Sequence, residues 1–264
     1  MKRSLPVSRY VIGLGVAVAM VSMVVGDDAK RTEGKEAREL DRKELGKEQR
    51  AAIQEALAEF NPLVGAWRGV GQPKRNSNKD SWKESAEWVW EIKKDRLGIR
   101  YTVKDGKHMQ SALLTYDPDE EKFVLEATLP DKSRRTYNGT AMGVRLTLLS
   151  PADEEGNVHQ IVLTRLTEKR TLVLFQVRKK DQPQFARVGE VGYTREGTHL
   201  AEDTPSGPEC IVTGGKGTMS TVYKGTTYWF CCTGCRDAFL DDPDTIIAQA
   251  EERAAKKKAE KEKK

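Results

Sequence analysis

Between Leu63 and Arg195, apolar and polar residues alternate with a period of two, and this pattern restricts the possible folds more than any other feature of the chain. Such alternation is typical of β-strands that bury one face. It recurs in ten segments, which are separated by turn sequences such as Lys104–Gly106 and Asp117–Glu120. Because short turns join consecutive strands antiparallel and closure removes exposed strand edges, the sequence predicts a ten-stranded antiparallel barrel.

The predicted strands lie at spacings of about a dozen residues, as in other all-β domains. They are 63–71, 86–92, 99–103, 112–116, 123–129, 135–141, 144–149, 159–166, 172–177 and 185–193. Gly65, Gly69 and Gly71 in the first strand are expected to allow the strong bend that a small barrel needs. Trp88 and Trp90 point to one face of the second strand, and we expect this face to be core rather than the lining of a ligand cavity.

Three stretches of this region resemble the lipocalin-like and nitrobindin-like small barrels of exported bacterial proteins. They are Pro62–Gly69, Leu114–Pro118 and Tyr193–Arg195. The resemblance implies that the barrel encloses a small apolar ligand. Nitrobindin-type members bind haem through a histidine near the last strands, but no histidine lies between His159 and His199, so haem is not expected.

The N-terminal segment predicts export. Lys2, Arg3 and Arg9 precede an apolar run, Val11–Val25, which is shorter than the roughly 20 residues of a membrane span. A basic start, an apolar run of this length and the small residue Gly26 predict a signal peptide over residues 1–26 and a periplasmic or secreted protein. An uncleaved N-terminal membrane anchor is the alternative.

Charge is concentrated outside the predicted folded regions. The formal net charge of +5 comes from the first 26 residues and from the lysine-rich tail 251–264, and the rest of the chain is almost neutral. A nucleic-acid-binding domain would instead carry positive charge on a folded face, so no such partner is expected.

The composition of residues 27–59 predicts a charged helical or flexible spacer. Within it, Ile53, Leu57 and Phe60 are expected to form one apolar helix face that docks onto the barrel. The barrel domain is assigned to residues 60–196 and a linker to 197–208.

All four cysteines lie in the last compact segment, 209–250, which is predicted to be a small α+β domain. Twenty residues separate Cys210 from Cys231, and three separate Cys231 from Cys235. Between the first two, a β-hairpin turns at Lys224–Thr226, and a helix is expected to begin near Cys235. The hairpin thus brings the three cysteines to one point, where soft ligands suit a zinc or copper ion. The helix dipole is expected to lower the pKa of Cys235.

This segment resembles a YHS domain of the TRASH-like class. The resemblance is carried by Cys210–Gly215, Val222–Cys235 and Phe239–Pro243. It implies a role in metal sensing, trafficking or resistance, and it implies that Cys210, Cys231 and Cys235 are the metal ligands.

Two questions about the cysteines stay open at this level. Cys232 is an additional candidate ligand, but neighbouring residues of a strand point to opposite faces, so it is expected to face away from Cys231. Because exported cysteines oxidise, structural disulfides are the alternative to a metal site.

The sequence shows no catalytic motif. No pair of residues carries a nucleophile or acid–base signature, so an enzyme is not expected.

Overall fold

A computed structural model describes residues 44–197 and 207–262 of the chain. The predicted signal peptide, residues 27–43 of the spacer and residues 198–206 of the linker lie outside this part. Helix α1 (Lys47–Leu57) continues into a 3₁₀ helix (Ala58–Leu63). Ile53, Leu57 and Phe60 are buried, as their spacing predicted. Among the described helices, none combines the length and apolar character that crossing a membrane requires.

Ten antiparallel strands form a closed barrel, which confirms the predicted fold class. They are β1 (Gly65–Gln72), β2 (Trp82–Ile92), β3 (Leu97–Lys104), β4 (Ser111–Asp117), β5 (Lys122–Thr128), β6 (Arg134–Met142), β7 (Arg145–Leu149), β8 (Val158–Thr167), β9 (Arg170–Arg178) and β10 (Ala186–Arg195). Each strand pairs with its neighbours in sequence, and β1 pairs with β10 to close the barrel. The architecture fits a lipocalin-like barrel.

The interior of the barrel is filled by its own side chains. Trp88, Tyr101 and Leu114 are among the residues that line a cavity of about 20 Å³, which is room for about one water molecule. Trp88 and Trp90 are both buried, as the alternation of β2 predicted. Within the described residues, this interior gives no support for the apolar ligand that the lipocalin-like resemblance implied.

A buried carboxylate lies near the start of β2, which begins at Trp82 and therefore four residues before the predicted start at Ala86. Glu84 is 8% exposed and accepts hydrogen bonds from Trp82 Nε1 at 2.5 Å and from the hydroxyl of Tyr193. The Tyr193 hydroxyl also bonds that of Tyr101. Because a charged residue occupies an inward position, the apolar alternation becomes visible only at Ala86.

Gly69 makes this network possible by its small size. It lies between Tyr193 and Glu84 in the strand register, and a Cβ there would approach the Tyr193 ring to 2.6 Å. Gly69 therefore provides the space that the two side chains need.

Residues 207–262, which we call the cysteine unit, contain the predicted hairpin and helix. The hairpin is β11 (Met219–Tyr223) and β12 (Thr226–Phe230), and helices α2 (Thr233–Asp241) and α3 (Pro243–Glu262) follow. Phe239 of α2 packs against the rings of Tyr228 and Phe230 with ring centroids 5.0 and 5.2 Å apart. Helix α3 continues through the charged tail as far as Glu262.

The cysteine unit packs against the end of β2. Strand β1 pairs with β2 only as far as Trp88, so the backbone of Trp90 is free of β1. A Cβ at Gly234, in the first turn of α2, would overlap the carbonyl oxygen of Trp90, so the contact requires glycine. The barrel and the cysteine unit form one compact body, and their contact lies beside the cysteines.

Candidate metal centre

Cys210 lies in a tight turn at the start of the cysteine unit. Its N–H donates to the carbonyl of Gly215 at 2.6 Å, and its own carbonyl accepts from Gly214 at 2.8 Å. Gly214 has a φ of +71°, which favours glycine. These bonds close the turn and point the buried Cys210 side chain toward the hairpin, where its sulfur meets those of the other cysteines.

Cys231 and Cys235 come from the junction between β12 and α2. Cys231 follows Phe230, the last residue of the strand, and Cys235 lies in the first turn of the helix. The sequence predicted both positions, because the hairpin and the start of the helix are local features.

The sulfur atoms of Cys210, Cys231 and Cys235 all lie within 4.8 Å of one another. Those of Cys231 and Cys235 are 3.5 Å apart, and all three residues are at most 6% exposed. Thiolates bound tetrahedrally at about 2.3 Å from a zinc ion lie about 3.8 Å apart, so these three side chains fit a zinc-sized ion. No other cluster of His, Cys, Asp and Glu side chains in residues 44–197 and 207–262 has comparable geometry.

Cys232 lies at the edge of this cluster, and its expected orientation away from Cys231 is wrong. Its sulfur is 3.9 Å from that of Cys231, because the strand ends at Phe230 and the alternation no longer holds. The sulfur accepts a hydrogen bond from the backbone N–H of Trp90 at 3.4 Å. It does not belong to the group of three mutually close sulfurs. Cys232 thus sits between the cluster and the barrel.

The metal-free thiols do not release their protons equally. Hydrogen bonds from Cys231, Cys235 and Thr213 lower the pKa of Cys210. Burial raises the pKa of Cys235 well above its ordinary value, and the neighbouring sulfurs raise it further, so the expected effect of the helix dipole is outweighed. Hydrogen bonds with Cys210 and Cys232 raise the pKa of Cys231. A bound cation would favour the thiolate form of all three, because it competes with protons for the same sulfurs.

Sequence reasoning missed three residues around the cluster. Thr213 is 7% exposed, and its hydroxyl is 3.5 Å from the sulfur of Cys231. Asn61 donates to the carbonyl of Thr213, and Trp90 reaches both Asn61 and Cys232. Thr213 belongs to the stretch that carries the YHS resemblance, but Asn61 and Trp90 lie far away in sequence and carry no local signal of this role.

The described histidines have other surroundings. Nε2 of His159 is 3.0 Å from a carboxylate oxygen of Asp153. His108 packs against the rings of Trp82 and Phe175, and burial lowers its pKa. His199 lies outside the described residues. Neither described histidine is part of the cysteine cluster.

A comparison with curated proteins found no match to the chain. A comparison with protein families matches residues 215–249 to the YHS domain. The matched residues include Cys231 and Cys235, and Cys210 lies just before them. The match and the three-cysteine cluster together indicate metal binding. The cysteine unit of this chain therefore contains a YHS domain.

Proposed function

We propose that this protein holds one soft metal ion, zinc or copper(I), through the thiolates of Cys210, Cys231 and Cys235. The observation that supports this most directly is that three buried sulfurs from two separate segments lie within 4.8 Å of one another. A disulfide would bring only two sulfurs together, whereas a soft cation explains the convergence of three.

The burial of the site favours holding over rapid relay. The three cysteines are between 0% and 6% exposed, so an ion among them would be enclosed by protein. Exchange with a partner would require the loop after Cys210 or helix α2 to move. The same burial supports a binding role rather than an enzymatic one, because a reactive thiol needs access to its substrate.

We also assign the barrel a supporting role and place the protein outside the cytoplasm. The filled interior and the packing of β2 against the cysteine unit support a role as a rigid scaffold. We further propose that its outer surface is available to a protein partner. Export rests on Lys2, Arg3, Arg9 and the apolar run that follows. Mass spectrometry of the protein isolated from a bacterial periplasm should find a chain that begins at Asp27; an intact N-terminus in the membrane fraction would favour the uncleaved anchor.

The metal site is tested by reconstitution of the reduced protein with zinc(II) or copper(I), followed by elemental analysis. We expect about one ion per chain, with an affinity that falls as the pH drops because protons compete for the thiolates. Cys231→Ser, Cys235→Ser and Cys210→Ser should each lose most of the binding. Cys232→Ser is the matched control, because it changes a neighbouring buried cysteine outside the group of three.

The outcomes separate the alternatives. If Cys232→Ser lost as much metal binding as the other three variants, Cys232 would be the fourth ligand. No metal in either the wild type or Cys232→Ser would overturn the proposal. If thiol labelling before reduction also found bridged cysteines, the protein would be a structural protein with disulfides.

A further inference from the structure

The loop that follows Cys210 is held by side chains from outside the cysteine unit. Gln54 of α1 donates from Nε2 to the carbonyl of Val212 at 2.5 Å. Asn61 of the 3₁₀ helix donates from Nδ2 to the carbonyl of Thr213 at 3.0 Å. Two successive carbonyls of a loop that carries a candidate ligand are therefore bonded to residues that precede the barrel.

The amide of Asn61 is fixed from its other side by the barrel. Its Oδ1 accepts a hydrogen bond from Nε1 of Trp90 at 3.0 Å, and Trp90 is 1% exposed. An indole N–H can only donate and a carbonyl can only accept, so these two partners determine which way the amide points. The side chain also packs closely on Gly215, where a Cβ would come within 3.1 to 3.3 Å of it.

Thr213 connects this amide to the sulfur atoms. Its hydroxyl lies 3.5 Å from the sulfur of Cys231 and 4.0 Å from that of Cys235. The turn 210–215 is closed by backbone bonds, so a shift at Thr213 would also move Cys210. A continuous set of contacts therefore runs from Trp90 in the barrel, through Asn61 and Thr213, to the cysteines.

We propose that Asn61 is a positioning residue of the metal site, so that metal affinity depends on the docking of the cysteine unit against the barrel. This inference rests on the proposed function. It adds that the site is complete only with residues from the N-terminal helices and β2. The orienting partners of metal ligands commonly change metal affinity by about 10- to 100-fold, and Asn61 acts one step further out, through the Thr213 loop.

The test compares Asn61→Asp with Asn138→Asp in the full chain. Aspartate keeps the size of asparagine but cannot donate to the carbonyl of Thr213. Asn138 lies on the exposed side of β6 and receives the same change of charge. Cobalt(II) is the probe, because thiolate-to-cobalt absorption reports the number and arrangement of bound sulfurs, and competition with a chelator gives the affinity.

We expect Asn61→Asp to weaken cobalt binding about 10-fold or more and to change the thiolate-to-cobalt spectrum, while Asn138→Asp leaves both unchanged. A negative charge near a cation site would by itself strengthen binding, so weaker binding identifies a loss of geometry. A purely structural role would lower the melting temperature of the metal-free protein and leave the spectrum of the bound metal as in the wild type.

The remaining outcomes are also decisive. If Asn61→Asp does not fold, Asn61→Ala replaces it, with the same expected loss and spectral change. Wild-type affinity and spectrum in a folded Asn61 variant would overturn this inference and leave the metal site standing. Failure of the wild type to bind cobalt, zinc or copper(I) would overturn the proposed function itself.

Discussion

The barrel and the cysteine unit bury polar groups in opposite ways. In the barrel, the buried Glu84 carboxylate is matched by donors from Trp82 and Tyr193, so this acidic group is satisfied by other barrel residues. In the cysteine unit, four buried thiols lie side by side and serve largely as one another's partners. The barrel thus supplies the partners of its buried acid itself, whereas the cysteine unit needs contacts or an ion from outside itself.

The largest effect is expected when the barrel and the cysteine unit are produced as separate fragments. A fragment of residues 44–197 should fold with a circular dichroism spectrum dominated by β-structure and a cooperative melt. A fragment of residues 207–262 without metal should be largely unfolded, because a unit of this size has little core of its own. A folded, metal-free cysteine unit would show that it does not need the barrel, and an unfolded barrel fragment would show the reverse dependence.

Gly234→Ala tests the docking contact. The added Cβ would overlap the carbonyl oxygen of Trp90, so α2 or β2 must shift, and we expect a loss of about 3 kcal/mol in the free energy of unfolding. Gly46→Ala is the control, because a Cβ there has no neighbour within 4 Å. Urea unfolding of both full-length variants checks the prediction. Equal stability of the two would mean that the barrel and the cysteine unit do not pack as tightly as described.

Glu84→Gln tests the polar network of the barrel. A glutamine can keep its oxygen on Trp82 Nε1 and turn its NH₂ toward the Tyr193 hydroxyl, which must then accept and donate instead to Tyr101. Hydrogen bonds to a carboxylate are replaced by weaker neutral ones, which costs about 1.5 kcal/mol. Glu87→Gln, on the exposed side of the same strand, should change the stability little. Metal affinity should be unchanged in both. Weaker metal binding in Glu84→Gln alone would show that the two regions are coupled more widely than through Asn61.

The smallest effect concerns pH and the end of β2. Burial alone would raise the pKa of Glu91, but the hydrogen bond from Arg100 and the charges of Arg100 and Arg96 leave it below its ordinary value. A carboxylate with a lowered pKa in the folded state adds stability above its unfolded pKa and loses it as the pH falls through the folded pKa. Unfolding measured from pH 7 to pH 3 should therefore show a loss of up to about 1 kcal/mol that Glu91→Gln lacks. The same loss in Glu91→Gln would assign the pH dependence to other carboxylates.

Much of the fold and of the candidate site could be predicted from the sequence. Alternation with a period of two predicted ten strands, because each strand buries one face. The short turns between them predicted that consecutive strands pair in the barrel. The spacing of Cys210, Cys231 and Cys235 around a hairpin predicted their convergence because a hairpin returns the chain to its starting point. These features are local, so the residues that produce them are close together in the sequence.

Only the tertiary structure decided how the two regions meet. From the sequence, Glu84 would be assigned to the surface, and only the structure shows it buried beside Gly69 and Tyr193. Gly234 matches the family pattern in the sequence, but only the structure shows that it contacts Trp90. Asn61 and Thr213 are 152 residues apart in the chain, and Trp90 and Cys232 are 142 apart. Contacts over such separations leave no periodic pattern in the sequence, because they depend on how surfaces from distant parts of the chain pack against each other.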